Sequence, residues 1–167
     1  MSVAARIKEL NITFPAFQEA VGTYRKCIRD GNLMYTSTHF GMDSEGKTIP
    51  GKVGTPEQAA NYKGTQQVHS PEAAKQMARN AGLRLLSTLS HHLDGNLDRV
   101  EQVVKLVGIV NGLEDFTGHG AVINGCSDVL CEVLGDEVGK GARTCTGSGS
   151  LGAAVTCDLI VRVRDEK

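Results

Sequence analysis

The chain has 167 residues, and its 18 lysines and arginines against 19 aspartates and glutamates leave a formal net charge of −1. It has 3 tyrosines, 4 phenylalanines and no tryptophan; with neither a basic excess nor aromatic stacking platforms, the composition disfavours nucleic acid as a partner. No apolar stretch approaches the roughly 18 residues of a membrane-spanning helix, so we expect no membrane partner. The length of the chain suits a single domain over residues 1–167.

The first predicted element is a hairpin between Tyr24 and Ser37. Two strand-like runs flank Asp30-Gly31, a dipeptide that suits the positive φ angles of a tight turn. Residues 38–69 contain five glycines and two prolines and predict a long loop with a short strand at Lys52-Val53. Loops of this length are often functional or pack on a neighbouring molecule.

Two helices and a buried strand follow. Ser70 is a suitable N-cap and Pro71 suits the first helical turn, so a helix is predicted to begin here and to end at Asp94. The run 103–110 is apolar on both alternating faces, which is typical of a central strand buried on two sides. A second helix is predicted from a stripe of apolar residues at helical spacing: Val122, Cys126, Val129, Leu130, Val133 and Leu134.

The last predicted element is a strand over residues 155–163. Its alternation with period two predicts one packed face and one open or interfacial face. The packed set is Val155, Cys157, Leu159, Val161 and Val163. The order hairpin, helix, strand, helix, strand, strand predicts an α+β fold, with one mostly antiparallel sheet and two helices on one of its faces.

Two motifs suggest ligands that their context does not favour. Gly147–Gly152 matches the dinucleotide pattern G-x-G-x-x-G, but a strand follows it and the chain ends before the expected acidic residue, so a connection between strands is predicted instead. His91 and His92 are adjacent on a helix and point about 100° apart, so they do not share one metal ion. No grouping of ligands suits a metal site, and we expect neither metal nor cofactor.

The cysteines and the amino terminus bear on the compartment. Five cysteines without a C-x-x-C pair are typical of free thiols in a reducing compartment. Residues 1–9 lack the apolar core of a secretory signal. These features predict a cytoplasmic protein, with the mitochondrial matrix as an open alternative.

Arg143 is the most informative single residue of the chain. It enters a short strand in a glycine-rich region, where an isolated arginine needs a partner. Its guanidinium fork is a preferred grip on a carboxylate. From the residues alone, a salt bridge to Asp158 or another acid is the favoured interpretation, and a ligand-binding role is the alternative.

Short motifs spread over almost the whole chain are individually weak but specific in their order and spacing. They are Ile7–Leu10, Ala20–Tyr24, Gly31–Ser37, Gly51–Gly54, Leu97–Val100, Asp115-Phe116, Val122–Gly125 and Ala142–Cys145. With them the chain resembles the YjgF/RidA family of reactive-intermediate deaminases, also called endoribonuclease L-PSP proteins, and most closely its longer branch. The resemblance implies a chorismate-mutase-like fold and a homotrimer with active sites in the clefts between subunits.

The resemblance also implies a reaction and its residues. Family members hydrolyse enamines and imines such as 2-aminoacrylate to 2-keto acids and ammonia, without a metal or an organic cofactor. Arg143 falls on the carboxylate-binding arginine, which displaces the salt-bridge interpretation. Tyr24 falls on the active-site tyrosine, and Asp158 on the acid that activates water. The remaining implied substrate contacts are Ser37, Thr38, Asn124 and Cys145.

Several positions depart from the family pattern. Thr38 stands where the family has a ligand-contacting glycine, and His39 and Phe40 follow it where they could narrow the pocket. Asp158 is one methylene shorter than the family's glutamate, and a one-residue gap would align Thr156 there instead. These departures support a second hypothesis, a non-catalytic homotrimer that binds small 2-keto or carboxylic acids as a sensor or regulator. Cleavage of RNA, after the older family label, is disfavoured by the charge and the few aromatics.

Overall fold

The computed structural model describes residues 1–165. The strands are β1 (Cys27–Asp30), β2 (Leu33–Thr36), β3 (His39–Phe40), β4 (Lys52–Val53), β5 (Val68–His69), β6 (Val100–Val110), β7 (Ala142–Gly147) and β8 (Val155–Val163). The helices are α1 (Val3–Glu9), α2 (Pro56–Asn61), α3 (Pro71–His92), α4 (His119–Leu134) and α5 (Asp136–Gly139), with a short 3-10 turn at Leu97–Arg99.

The main sheet has the strand order β1-β2-β8-β6-β7, and β3 also pairs with β8. Only β6 and β7 run parallel in it; the other pairs are antiparallel. The long helices α3 and α4 pack together on one face and bury the apolar core against β6 and β8. The predicted α+β fold, one mostly antiparallel sheet with two helices on one face, is therefore confirmed. No helix within residues 1–165 has the length and apolarity needed to cross a bilayer.

The predicted hairpin is confirmed, with its turn shifted by one residue. Asp30 pairs with Leu33, so the two turn residues are Gly31 and Asn32. Gly31 has φ +60° and Asn32 has no positive φ, the pattern of a type II′ turn, whose first central position favours glycine. Asp30 is the last residue of β1.

The segment 38–69 is more ordered than the predicted loop. The short strand at Lys52-Val53 is confirmed, but the segment also forms β3, β5 and α2. Thr55 and Gln58 form a capping box at the start of α2, since each side chain accepts from the other residue's backbone N–H. The T-x-x-Q spacing is a helix-start signal that the sequence already contains.

The two long helices and the last strand follow their predicted patterns. The Ser70 side chain caps α3 by accepting from the backbone N–H of Ala73 at 3.2 Å, and the helix ends at His92. In β8, Cys157 and Leu159 are buried against the helices. On the other face Arg162 is exposed, whereas Asp158 is half-buried. We call this second face, which lies away from α3 and α4, the open face.

Candidate functional site

Arg143 lies on β7, an outermost strand of the main sheet. Arg143 is in register with Leu106 of β6, and Leu106 is in register with the buried Leu159 of β8. Arg143 is therefore on the face of the sheet that α3 and α4 cover, which we call the helix face. Its Nη1 donates to Asn124 Oδ1 at 2.7 Å and to Ser127 Oγ at 3.0 Å. The structure thus brings together two of the predicted site residues, Arg143 and Asn124, on an exposed strip between α4 and β7.

Helix α4 supplies this strip through residues on one of its faces. Gly120, Asn124 and Ser127 are spaced four and three apart, which places them on neighbouring turns. A Cβ at Gly120 would lie 3.7 Å from Arg143 Nη2, so the missing side chain leaves the guanidinium uncovered there. The sequence interpretation missed Ser127, although its i, i+3 spacing from Asn124 on a predicted helix is a signal that could have found it.

The guanidinium of Arg143 carries no ion pair within residues 1–165. The two hydrogens of Nη1 are used by neutral acceptors, an amide and a hydroxyl. The Nε–H and the Nη2 hydrogens remain, and together they form the side of the fork that binds a carboxylate with two parallel hydrogen bonds. The salt bridge to Asp158 that the residues alone favoured is therefore wrong.

Asp158 lies on the opposite face of the sheet from Arg143. Val107 is in register with both Asp158 and Thr144, the residue that follows Arg143, and successive residues of a strand point to opposite faces. Burial raises the pKa of the half-buried Asp158 carboxyl above its ordinary value. Thr156, the alternative residue for this role, is on the same open face, and its buried hydroxyl has no hydrogen-bond partner among residues 1–165. One chain therefore does not bring either residue against the Arg143 fork.

Cys145 lies two residues beyond Arg143 on the same face of β7. Burial raises the pKa of its thiol, and the nearby Arg143 partly offsets that rise. The thiol is therefore protonated near neutral pH and can line the site without serving as a thiolate nucleophile. Beside Arg143 there is also a cavity of about 150 Å³, bounded by Ser127, Cys131 and Lys140, which suits a small ligand.

Tyr24, Ser37 and Thr38 lie at the other side of the sheet. Tyr24 precedes β1, the outermost strand opposite β7, and four interstrand steps of roughly 4.8 Å separate these edges by about 19 Å. Tyr24 is half-exposed and borders a cavity of about 420 Å³. The Ser37 hydroxyl donates to the Arg25 carbonyl, so it ties the hairpin to its entry segment. The structure does not bring these three residues near Arg143 within one chain.

His39 does not border the strip at Arg143. It is buried; its Nδ1 donates to the Ser37 carbonyl at 2.8 Å, and its Nε2 accepts from the Thr88 hydroxyl of α3 at 2.7 Å. Burial lowers its pKa to about 4, which keeps the ring neutral. Phe40 is 36% exposed and pairs with Thr156 on the open face. The two residues that follow Thr38 therefore lie on opposite faces of the sheet.

His119 begins α4 and was uninformative as a single residue of the sequence. In the structure its ring packs edge-on against Phe116, with the ring centroids 5.4 Å apart. A Cβ at Gly147 would meet its Nε2 at 2.6 Å, so the end of β7 depends on glycine there. Within residues 1–165 no three His, Cys, Asp or Glu side chains group to hold a metal ion.

Comparison with known proteins adds a relative over nearly the full length. The chain is 33% identical over 165 residues to a protein named TCP17 from Trypanosoma cruzi, covering 98% of this chain and 95% of that protein. No family model matches the chain.

Solved structures share the fold. Atu1372 from Agrobacterium tumefaciens, a protein of unknown function, is 31% identical with a TM-score of 0.80 and covers 98% of this chain and 94% of its own. A Shewanella oneidensis protein, provisionally named an endoribonuclease, is 21% identical with a TM-score of 0.83 and covers 98% and 100%. The YjgF gene product of E. coli is 14% identical with a TM-score of 0.56 and covers 89% and 94%.

The helix-backed sheet is the fold of solved YjgF/L-PSP proteins. The chain is 33% identical to TCP17 over nearly its full length, and it shares its fold with the YjgF/L-PSP family.

Proposed function

We propose that this protein hydrolyses small 2-imino acids, such as the imine form of 2-aminoacrylate, to 2-keto acids and ammonia. The observation that carries the proposal is the Arg143 guanidinium, which Asn124 and Ser127 orient through Nη1 while its remaining fork has no ion pair within residues 1–165. A fork held in this way can clamp a carboxylate bidentately and so position the adjacent C=N carbon.

The reaction needs one water molecule and no redox partner. Water adds to the C=N carbon, the nitrogen gains a proton, and the resulting carbinolamine expels ammonia to leave the 2-keto acid. In the proposal Asp158 handles the protons of this water, and its raised pKa brings the carboxyl closer to the operating pH. Tyr24 completes the site, while Cys145 and Asn124 line the carboxylate end.

These residues require more than one copy of the chain. Tyr24 and Arg143 belong to edges about 19 Å apart, and Asp158 is on the face opposite Arg143. We therefore place the site in a cleft between subunits of a homotrimer, where one chain supplies Arg143 and another supplies Tyr24 or Asp158. Apolar side chains on the open face support association, because Ile28 is 53% exposed and Tyr35, which pairs with it, is 36% exposed.

The placement of Asp158 also favours a second candidate function. If no subunit brings a carboxylate to the water beside Arg143, the clamp binds a 2-keto or carboxylic acid without turning it over. The protein is then a homotrimeric sensor or regulator for small acids.

The two functions separate in a coupled assay. An enzyme that releases 2-aminoacrylate supplies the imine, and its disappearance is timed with and without this protein. We expect wild type to accelerate the decay and Arg143→Ala to return it to the rate in buffer. Arg79→Ala is the matched control, since Arg79 is a surface arginine paired with Glu132 at 2.6 Å. Equal acceleration by wild type and Arg143→Ala would contradict the proposal.

Asp158→Asn distinguishes the enzyme from the binding protein. For the enzyme, we expect this variant to lose turnover while 2-ketobutyrate still raises its melting temperature. For the binding protein, wild type and Asp158→Asn both lack turnover, and both respond to 2-ketobutyrate through Arg143. Light scattering of the same samples gives the number of subunits.

A further inference from the structure

A second arginine lies in a cavity well removed from β7. The cavity measures about 580 Å³ and lies between the segment that follows α1, the loop that follows β3, and helix α3. Phe14 and Gln18 form one wall, Asp43 belongs to the loop, and Asn80 and Arg84 belong to α3.

One polar face of α3 forms the floor of this cavity. Asn80, Arg84 and Ser87 are spaced four and three apart and share that face. Asn80 Nδ2 donates to the Met42 carbonyl at 3.0 Å, and Ser87 Oγ donates to the Pro15 carbonyl at 2.7 Å. The outer two side chains thus tether the two walls, and Arg84 lies between these tethers.

Arg84 is buried with almost no partner. The residue is 7% exposed. Within residues 1–165 its guanidinium makes one hydrogen bond, from Nη2 to Gln18 Oε1 at 2.8 Å. Its Nε is buried without any hydrogen-bond partner. Burial lowers the pKa of Arg84, with no opposing contribution from an acid.

A buried arginine with so few acceptors is unusual, because five N–H donors and a full charge are withdrawn from water. In proteins such groups are paired or bind an anion.

The carboxylates that border the cavity are already engaged. Asp43 Oδ1 accepts from the backbone N–H groups of Glu45 and Lys47, both at 2.9 Å. The Glu45 carboxylate pairs with Lys47 Nζ at 2.9 Å. Neither forms an ion pair with Arg84. Lys47 balances the charge of Glu45, whereas Asp43 is held by neutral N–H groups and keeps its charge. This charge makes the loop side of the cavity unfavourable for a second negative group and favourable for an amino group.

We propose that the Arg84 cavity is a second ligand site, which binds the carboxylate of a small organic acid with a single negative charge. Arg84 supplies the fork and Gln18 keeps it in place. Asp43 selects against dianions and favours acids that carry an amino group at their other end. The site is separate from the Arg143 strip and does not depend on the activity proposed there.

Calorimetric titration of the full chain carrying Arg143→Met tests the Arg84 site in the absence of the Arg143 carboxylate clamp. The probes are propanoate, β-alanine, malonate and inorganic phosphate. We expect one propanoate per chain, tighter binding of β-alanine, and weaker binding of malonate and phosphate. Adding Arg84→Met should lower the affinity for propanoate about tenfold or more, because the charge-assisted hydrogen bonds of the guanidinium fork are lost. An unchanged isotherm in the double variant would overturn the site.

Arg84→Lys in the same background guards against a folding defect. It keeps the charge but loses the fork, so we expect the protein to fold and to bind propanoate several-fold more weakly. Full retention of affinity in Arg84→Lys would overturn the role of the fork.

Thermal unfolding separates a ligand site from a structural arginine. At saturating propanoate the Arg143→Met protein should melt higher, and this shift should vanish when Arg84→Met is added. Without ligand, Arg84→Met should melt no lower than its parent, since it removes an unpaired buried charge. A large drop in melting temperature together with no response to propanoate would assign Arg84 to a structural pair with another subunit and overturn the proposal.

Discussion

Arg143, on the outermost strand β7, and Arg84, on helix α3, occupy contrasting environments. Arg143 is at the exposed end of the sheet, and two neutral side chains of α4 orient it. Arg84 is enclosed on α3 and has one amide acceptor. Neither has an ion pair within residues 1–165, so each keeps its charge available. The exposed arginine is ordered by its hydrogen bonds, whereas the buried one is ordered by the walls around it.

Both environments depend on the close contact between α3 and α4. A Cβ at Gly125 would lie 2.0 Å from the Lys75 carbonyl oxygen and 3.0 Å from the Arg79 backbone nitrogen. Backbone atoms do not move aside at low cost. Gly125→Ala should therefore separate α3, which carries Arg84, from α4, which carries the acceptors of Arg143.

We expect Gly125→Ala to lower the free energy of unfolding by about 3 kcal/mol, the upper end for overpacking. Urea unfolding measures the change. Gly120→Ala on the same helix is the control, because its Cβ makes only ordinary contact with Arg143, and we expect it to be neutral or slightly stabilising. Equal stability of Gly125→Ala and wild type would mean that the helices can part without cost.

Acid should destabilise the protein through His39, which is buried against α3. Burial lowers the pKa of His39 to about 4 from an ordinary 6.5, with smaller contributions from the charges of Lys26 and Arg84. The unfolded chain therefore binds more protons between these values, and stability is lost as pH falls from about 6.5 through 4. We expect a loss of about 3 kcal/mol between pH 7 and pH 4 from this residue.

His39→Gln is the variant for that measurement, followed by urea unfolding at several pH values. Glutamine can keep one of the two hydrogen bonds of the ring but does not titrate, so the loss between pH 6.5 and pH 4 should shrink. His92→Gln, at the end of α3, serves as the control. If the acid loss is the same in His39→Gln as in wild type, His39 is not its source.

The position of the exposed Arg143 guanidinium depends on two hydrogen-bond acceptors of α4. Asn124→Ala removes the 2.7 Å hydrogen bond to Arg143, and the guanidinium keeps only the longer one to Ser127. We expect 2-ketobutyrate to bind about tenfold more weakly, as for the loss of one hydrogen bond to a charged group. Ser127→Ala should have a smaller effect. If neither variant changes the affinity, α4 does not orient the clamp.

Local patterns predicted those parts of the fold that local physics determines. The Ser70 cap, the apolar stripe of α4 and the alternation in β8 are properties of short windows, and the structure confirms them. The capping box of Thr55 was equally local but was overlooked within a glycine-rich stretch. Arg143 could be singled out from its isolation and the family motifs.

Long-range placement escaped prediction. Spacing along the chain suggested Asp158 as a partner of Arg143, but β6 inserts between their strands and the pleat turns the two side chains to opposite faces. Arg84 attracted no attention, because a charged residue on a helix is ordinarily solvated. Its burial comes from the segment around Phe14 and Gln18, which has no periodic signal of its own.

The groups that hold Arg143 have a further consequence for how the strip responds to its surroundings. Asn124 and Ser127 do not ionise, and burial raises the pKa of the Cys145 thiol above its ordinary value. The carboxylate clamp therefore has no protonation switch of its own across the neutral range. Near Arg143 itself, binding should follow the concentration and ionisation of the small acid, so that any further pH dependence of the proposed cleft would come from Asp158.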